Sequence, residues 1–265
     1  IMKRILFFVF FMADFLFVSA QTYNEWIDKS FECIESEDWA GAEKALIGAL
    51  RVQPANPQNA LLLSNLGTIQ RKMGKNDEAL KSYTNALMIT PRSVTLLMNR
   101  AALFSEMEKF DDALKDYNQV LMLDDKEEDA LYLRGLIRLE KNDTTACRKD
   151  FEQLLKINPK SSDARIGLAA LMKLRGYYTE AIDLYTQVIR VNPEQASLYL
   201  NRGEAYLLNR RLNKADEDVA KALELDPKDP LVYVLRAKLK LARYEKEDAS
   251  RDLDIRSIIY TRPLD

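Results

Sequence analysis

Four prolines keep time along this chain. Pro91, Pro159, Pro193 and Pro227 stand 68, 34 and 34 residues apart, 68 being twice 34, and Pro54 stands 37 before the first. Each follows a run that reads as helix, as in Leu223-Glu224-Leu225-Asp226-Pro227. A fixed 34-residue period marks one supersecondary unit repeated and stacked, because one unit cannot hide its apolar face alone and must lean on its neighbours. The period therefore points to a stacked array and to a function of surface binding.

Taking the recurrent proline as place 32 puts repeat starts at Tyr23, Ala60, Val94, Glu128, Ser162, Ala196 and Pro230. Place 20 is then Ala42, Ala79, Ala113, Cys147, Ala181, Ala215 and Ala249. Place 8 is small throughout: Ser30, Gly67, Ala101, Gly135, Ala169, Gly203 and Ala237. Place 24 is large and apolar: Leu46, Tyr83, Tyr117, Phe151, Tyr185, Val219 and Leu253. Small residues at 8 and 20 let two antiparallel helices approach closely, and place 24 fills the gap beside them.

This register, with Trp26 at place 4 of the first unit, resembles the tetratricopeptide repeat family over residues 23 to about 263. The resemblance implies an all-α fold, a right-handed α-solenoid of about seven tandem helix-turn-helix repeats, built from residues 21–265 as one continuous array. Gly74 and Gly176 fall at place 15, where a residue of positive φ ends the first helix, and Asn142 can serve in the same way. Pro at place 32 stops the second helix. Asp125 replaces it in the third repeat, and Pro54-Ala55-Asn56-Pro57 holds three extra residues as a loop insertion.

Place 7 is Arg in four repeats, Arg100, Arg134, Arg202 and Arg236, and place 23 is Asp in the same four, Asp116, Asp150, Asp218 and Asp252. The other three repeats have neither. Matched presence and absence predicts that Arg and Asp meet within one hairpin as a structural pair.

Residues 1–20 differ from the rest. Lys3 and Arg4 precede an apolar run from Ile5 to Val18, and Val18-Ser19-Ala20 offers a small-residue cleavage site. This is the layout of a secretory signal peptide cut after Ala20, and an uncleaved tether is the alternative. Asp14 interrupts the run, which is shorter than the roughly 20 residues of a membrane span. The chain is thus expected to be exported, periplasmic or secreted and bacterial, with no membrane insertion after cleavage. Near the other end, Ile258, Ile259 and Tyr260 lead to two expectations for the last helix, self-association into a homo-oligomer or folding back on the array.

A net charge of −2 provides no broad attraction to nucleic acid. There is no His, so imidazole bases and His-ligated metals are excluded. Cys33 and Cys147 lie three repeats apart and are expected as free thiols. No phosphate-cradling glycine loop, zinc-ligand spacing or nucleophile–base set is present, and the expectation is a non-enzyme with no cofactor.

The resemblance implies that first helices line a concave face through places 2, 5, 6, 9, 12 and 13. Carried onto this chain, the binding groove takes Asn65, Met98, Asn99 and Ala102, then Tyr132, Leu136, Ile166 and Ala170, then Leu200, Asn201 and Glu204. Asn65, Asn99 and Asn201 share place 6, where an amide offers donor and acceptor together to an extended peptide backbone. Leu133 and Gly167 break that row. The family's carboxylate clamp is not matched: Asn99 fits, but Ser64, Thr68, Asp129 and Leu133 stand where its other elements belong. Two roles follow. One is a non-catalytic module holding a peptide or partner protein in the groove; the other is a structural subunit of an envelope complex, joined through convex or terminal surfaces.

Overall fold

The computed structural model describes residues 21–243, which form thirteen α-helices and no strand. They fall into two compact units, residues 21–124 and 125–243. The first unit holds α1 (Tyr23–Glu35), α2 (Trp39–Val52), α3 (Asn59–Lys72), α4 (Asn76–Ile89), α5 (Val94–Glu106) and α6 (Phe110–Leu123). The second holds α7 (Glu128–Glu140), α8 (Thr144–Ile157), α9 (Ser162–Leu174), α10 (Tyr178–Val191), α11 (Ala196–Leu208), α12 (Leu212–Leu225) and α13 (Pro230–Ala242). Within each unit the helices pair into hairpins, and each second helix also packs on the first helix of the hairpin that follows. First helices α3 and α5 touch in one unit, as do α7 and α9, and α11 and α13, in the other. The expected signal peptide, residues 1–20, lies outside the described residues, as do Ala249, Asp252, Leu253, Ile258, Ile259 and Tyr260.

Local chemistry sets the helix ends. Pro91, Pro159, Pro193 and Pro227 each stand two residues past a second helix, where a missing N–H and a fixed φ prevent another turn. Ser93 and Ser161 cap α5 and α9 by accepting from the backbone N–H groups of Leu96 and Ala164. Thr22 and Glu25 close a reciprocal capping box at α1. Asp229 caps α13 ahead of Pro230 at its first turn. The insertion after α2 is tied down by buried Asn59, whose amide donates to the carbonyls of Gln53 and Pro54 and accepts from the Tyr23 hydroxyl at 3.0 Å.

Every hairpin of the described residues turns at a left-handed residue in place 15: Glu37, Gly74, Glu108, Asn142, Gly176 and Arg210. Gly74, Gly176 and Asn142 are the types that tolerate this backbone. Glu37, Glu108 and Arg210 adopt it against a steric penalty, at φ of 58, 57 and 59°.

The core repeats the register. Place 20 from Ala42 to Ala215 is fully buried, and the place-24 side chains Leu46, Tyr83, Tyr117, Phe151, Tyr185 and Val219 are 3% exposed or less. A Cβ on Gly67 would lie 2.7 Å from the Tyr83 ring, so the aromatic occupies the space glycine leaves. Phe151 uses two such gaps, since a Cβ on Gly135 or on Gly167 would come within 2.5 and 2.4 Å of it. Gly167 therefore breaks the place-6 asparagine row for a packing reason: no side chain fits there. Cys33 and Cys147 are free thiols.

The Arg and Asp of places 7 and 23 meet within a hairpin. Arg100 donates to Asp116 at 2.7 and 2.8 Å, and Arg202 to Asp218 at 2.8 and 2.6 Å, both in fork-to-fork geometry. Arg134 reaches Asp150 at 2.6 Å, where Arg138 adds a second guanidinium at 2.6 Å. Each carboxylate is buried. A further contact is not legible in one repeat: Arg100 also donates to Thr84, and Arg202 to Thr186, each on the second helix of the preceding hairpin. The fourth expected partner, Asp252, lies outside the described residues.

Candidate binding site

The eleven residues expected to form a groove lie on first helices, and all eleven are half-buried. In the first unit Asn65 is on α3, with Met98, Asn99 and Ala102 on the adjacent α5. The side chains of Asn65 and Asn99 make no hydrogen bond among the described residues, which leaves two amides free to pair. Arg71 and Glu106 tie α3 to α5 beyond them through an ion pair that includes a 2.7 Å bond from Nε.

In the second unit the positions divide by what they touch. Tyr132 and Leu136 of α7 pack onto the cluster of Cys147, Phe151, Leu168 and Leu171, with the Tyr132 ring 6.3 Å from that of Phe151. Ile166 and Leu200 pack onto the neighbouring cluster around Tyr185 and Leu198. These four side chains belong partly to the core. Asn201 is engaged at both ends of its amide: it donates to the Ser197 carbonyl at 2.8 Å and accepts from Lys173 at 3.3 Å.

Ala170 and Glu204 come together in an open cleft of about 590 Å³, where the ends of α7, α9 and α11 converge. The small side chain of Ala170 leaves the space. Leu139, Leu174 and Leu208 surround it, and Lys173 bonds Glu204 across it at 2.6 Å. Lys238 of α13 approaches the other oxygen of Glu204 at 3.3 Å. Burial alone would raise the Glu204 carboxyl, but the hydrogen bond and charge of Lys173, followed by Lys238, outweigh it and hold the group below its ordinary value of 4.5. Burial pushes the nearby Tyr185 hydroxyl up, and the negative charge of Glu204 adds to the shift.

Leu139, Glu140, Lys173, Leu174 and Leu208 are cleft residues that residue-type reasoning did not single out. All occupy places 12 or 13 of the register, so the signal existed in the spacing. What spacing could not supply was the Lys173–Glu204 bridge between two repeats. Among the described residues no group of three or more His, Cys, Asp or Glu is placed to hold a metal ion, and no helix is long and apolar enough to cross a membrane.

Profiles described as tetratricopeptide repeat match residues 62–95, 129–161 and 196–229, and one described as TPR repeat matches 173–209. No curated protein matches the chain. Among solved structures, a tetratricopeptide repeat protein from Parabacteroides merdae ATCC 43184 is 39% identical, with a TM-score of 0.83 over 89% of this chain and 93% of that one. YrrB, described as a TPR protein with an unusual peptide-binding site, is 19% identical, with a TM-score of 0.54 over 72% of this chain and 97% of its own. The Pseudomonas aeruginosa protein pilF is 16% identical, with a TM-score of 0.64 over 82% and 97%. The last two likenesses concern the fold alone.

Proposed function

Because the chain belongs to the tetratricopeptide repeat family, we propose that it is a non-catalytic docking protein whose first helices hold an extended peptide or a segment of a partner protein. The observation that carries this reading is the second unit's cleft, where three first helices converge on Ala170 and leave leucines exposed beside a fixed ion pair. Apolar surface with a few placed polar groups is what peptide recognition requires. The free amides of Asn65 and Asn99 offer backbone-matching groups in the first unit. The pattern of residues 1–20 supports action in the periplasm or outside the cell.

Capture of partners from the native cell envelope tests the reading. Ala170→Trp fills the cleft from a half-buried position, and Met98→Glu charges the corresponding face of α5. Both are better probes than Tyr132 or Leu200, which pack on core clusters. Loss of a captured partner with unchanged helical content is expected. Full retention by both variants overturns the groove.

Retention would move the site to the second helices, the reading in which the chain is a structural assembly subunit. One observation favours that alternative: Met88 on α4 and Met122 on α6 are 77% and 86% exposed, at equal places in successive repeats. Joint substitution of both by Glu would then abolish capture.

A further inference from the structure

We infer that the second unit's cleft selects a partner segment that is apolar and acidic together, an inference that rests on the groove reading above. The floor supplies the apolar half. Leu174 and Leu208 are 55% and 44% exposed beside Ala170, so an aliphatic or aromatic side chain could cover both.

The mouth supplies the charge. The cleft opens toward the turns between first and second helices, because Asn142 lies in one such turn and Leu174 and Leu208 end the helices that lead into two others. Those turns carry Arg175, Arg210 and Arg211, all exposed. Arg175 lies 5.5 Å from the half-exposed Tyr177 ring, and neither Arg210 nor Arg211 makes an ion pair among the described residues. Opposing carboxylates are few: Glu140 lines the cleft, Asp143 is engaged in capping α8, and Glu204 is held between Lys173 and Lys238. Counted over these turns and the cleft lining together, the uncompensated charge is positive, with Arg175, Arg210 and Arg211 set against Glu140.

The same turns of the first unit, residues 36–38, 73–75 and 107–109, carry Glu37, Asp38 and Glu108 against Lys75 and Lys109. The basic rim is therefore particular to the second unit and not a general demand of the repeat. Guanidinium groups match carboxylates in paired geometry, and charges at a rim steer association and set selectivity more than they set raw affinity. An Asp- or Glu-rich segment with an aliphatic anchor fits both halves.

Panning a random 12-residue peptide display library on the full chain tests this, with anisotropy on the enriched peptides and sedimentation with phosphatidylglycerol vesicles. Enriched peptides should carry aliphatic or aromatic residues with an excess of Asp and Glu. The double variant Arg210→Gly/Arg211→Ala should weaken them about five- to tenfold. Glycine suits the left-handed backbone at 210, so retained thermal stability separates lost binding from lost folding. Ala170→Trp should abolish binding. Enrichment without acidic excess, or affinity unchanged in the double variant, overturns the selectivity; loss on Ala170→Trp in those cases leaves the groove itself standing. Acidic peptides that bind Ala170→Trp as well as the parent overturn both. Absence of enriched peptides overturns the inference, and capture by the vesicles in that case assigns the rim to an anionic membrane surface.

Discussion

The guanidinium of Arg202 holds the carboxylate of Asp218 by two parallel hydrogen bonds of 2.8 and 2.6 Å, joining α11 to α12 across their hairpin. Both groups are largely removed from water, with side-chain exposures of 15% and 5%. Removing one partner leaves the other buried and unpaired. Asp218→Ala should therefore destabilise the chain by about 3–5 kcal/mol. A double-mutant cycle with Arg202→Ala, read by urea denaturation, should show coupling of about 1 kcal/mol or more. Thr186→Val, which removes the third anchor of the same guanidinium, should cost about 1 kcal/mol.

Gly167 and Phe151 share one space. Gly167→Ala should destabilise by about 1–3 kcal/mol, because the added methyl group meets the ring of a fully buried side chain. Pairing it with Phe151→Leu should recover part of that loss, although Phe151→Leu alone is destabilising. A double variant no better than the sum of its parts would contradict the shared space.

Glu108 sits at φ 57° in the turn between α5 and α6, a conformation that glycine adopts without a Cβ clash. Glu108→Gly should raise stability by about 0.5–1 kcal/mol, seen as a higher melting temperature. The same change at Gly74, made in reverse as Gly74→Ala, should lower it.

Acid should weaken the ion pairs that join successive hairpins. The Glu204 carboxyl is held below 4.5 by Lys173 and Lys238 against the opposing effect of burial, and Glu43 by Lys75 and Gln70 in the same way. A carboxyl lowered in the folded state contributes stability that is present above its unfolded pKa and is lost as pH falls through the folded one. Stability should thus be level near neutrality and fall below about pH 4.5. Glu204→Gln should make that acid limb shallower.

Much of this fold is legible in residue spacing. Relations inside one repeat, such as Arg202 with Asp218 or Gly67 with Tyr83, are separated by 16 residues of chain that always fold into the same hairpin. A repeated pattern therefore exposes them. The half-buried exposure of the eleven residues expected to form a groove follows from the same periodicity, because one helix face recurs at fixed places.

Contacts between repeats are another matter, and the tertiary structure alone decided them. Thr186 meeting Arg202, Phe151 filling the space at Gly167, and Lys173 bridging to Glu204 depend on how far one hairpin is offset against the next. That offset is set by the summed packing of many side chains, and no single place in the register encodes it. Residue types also left open the strained turns at Glu37, Glu108 and Arg210, since a favourable stack can hold a left-handed residue that local preference alone would reject.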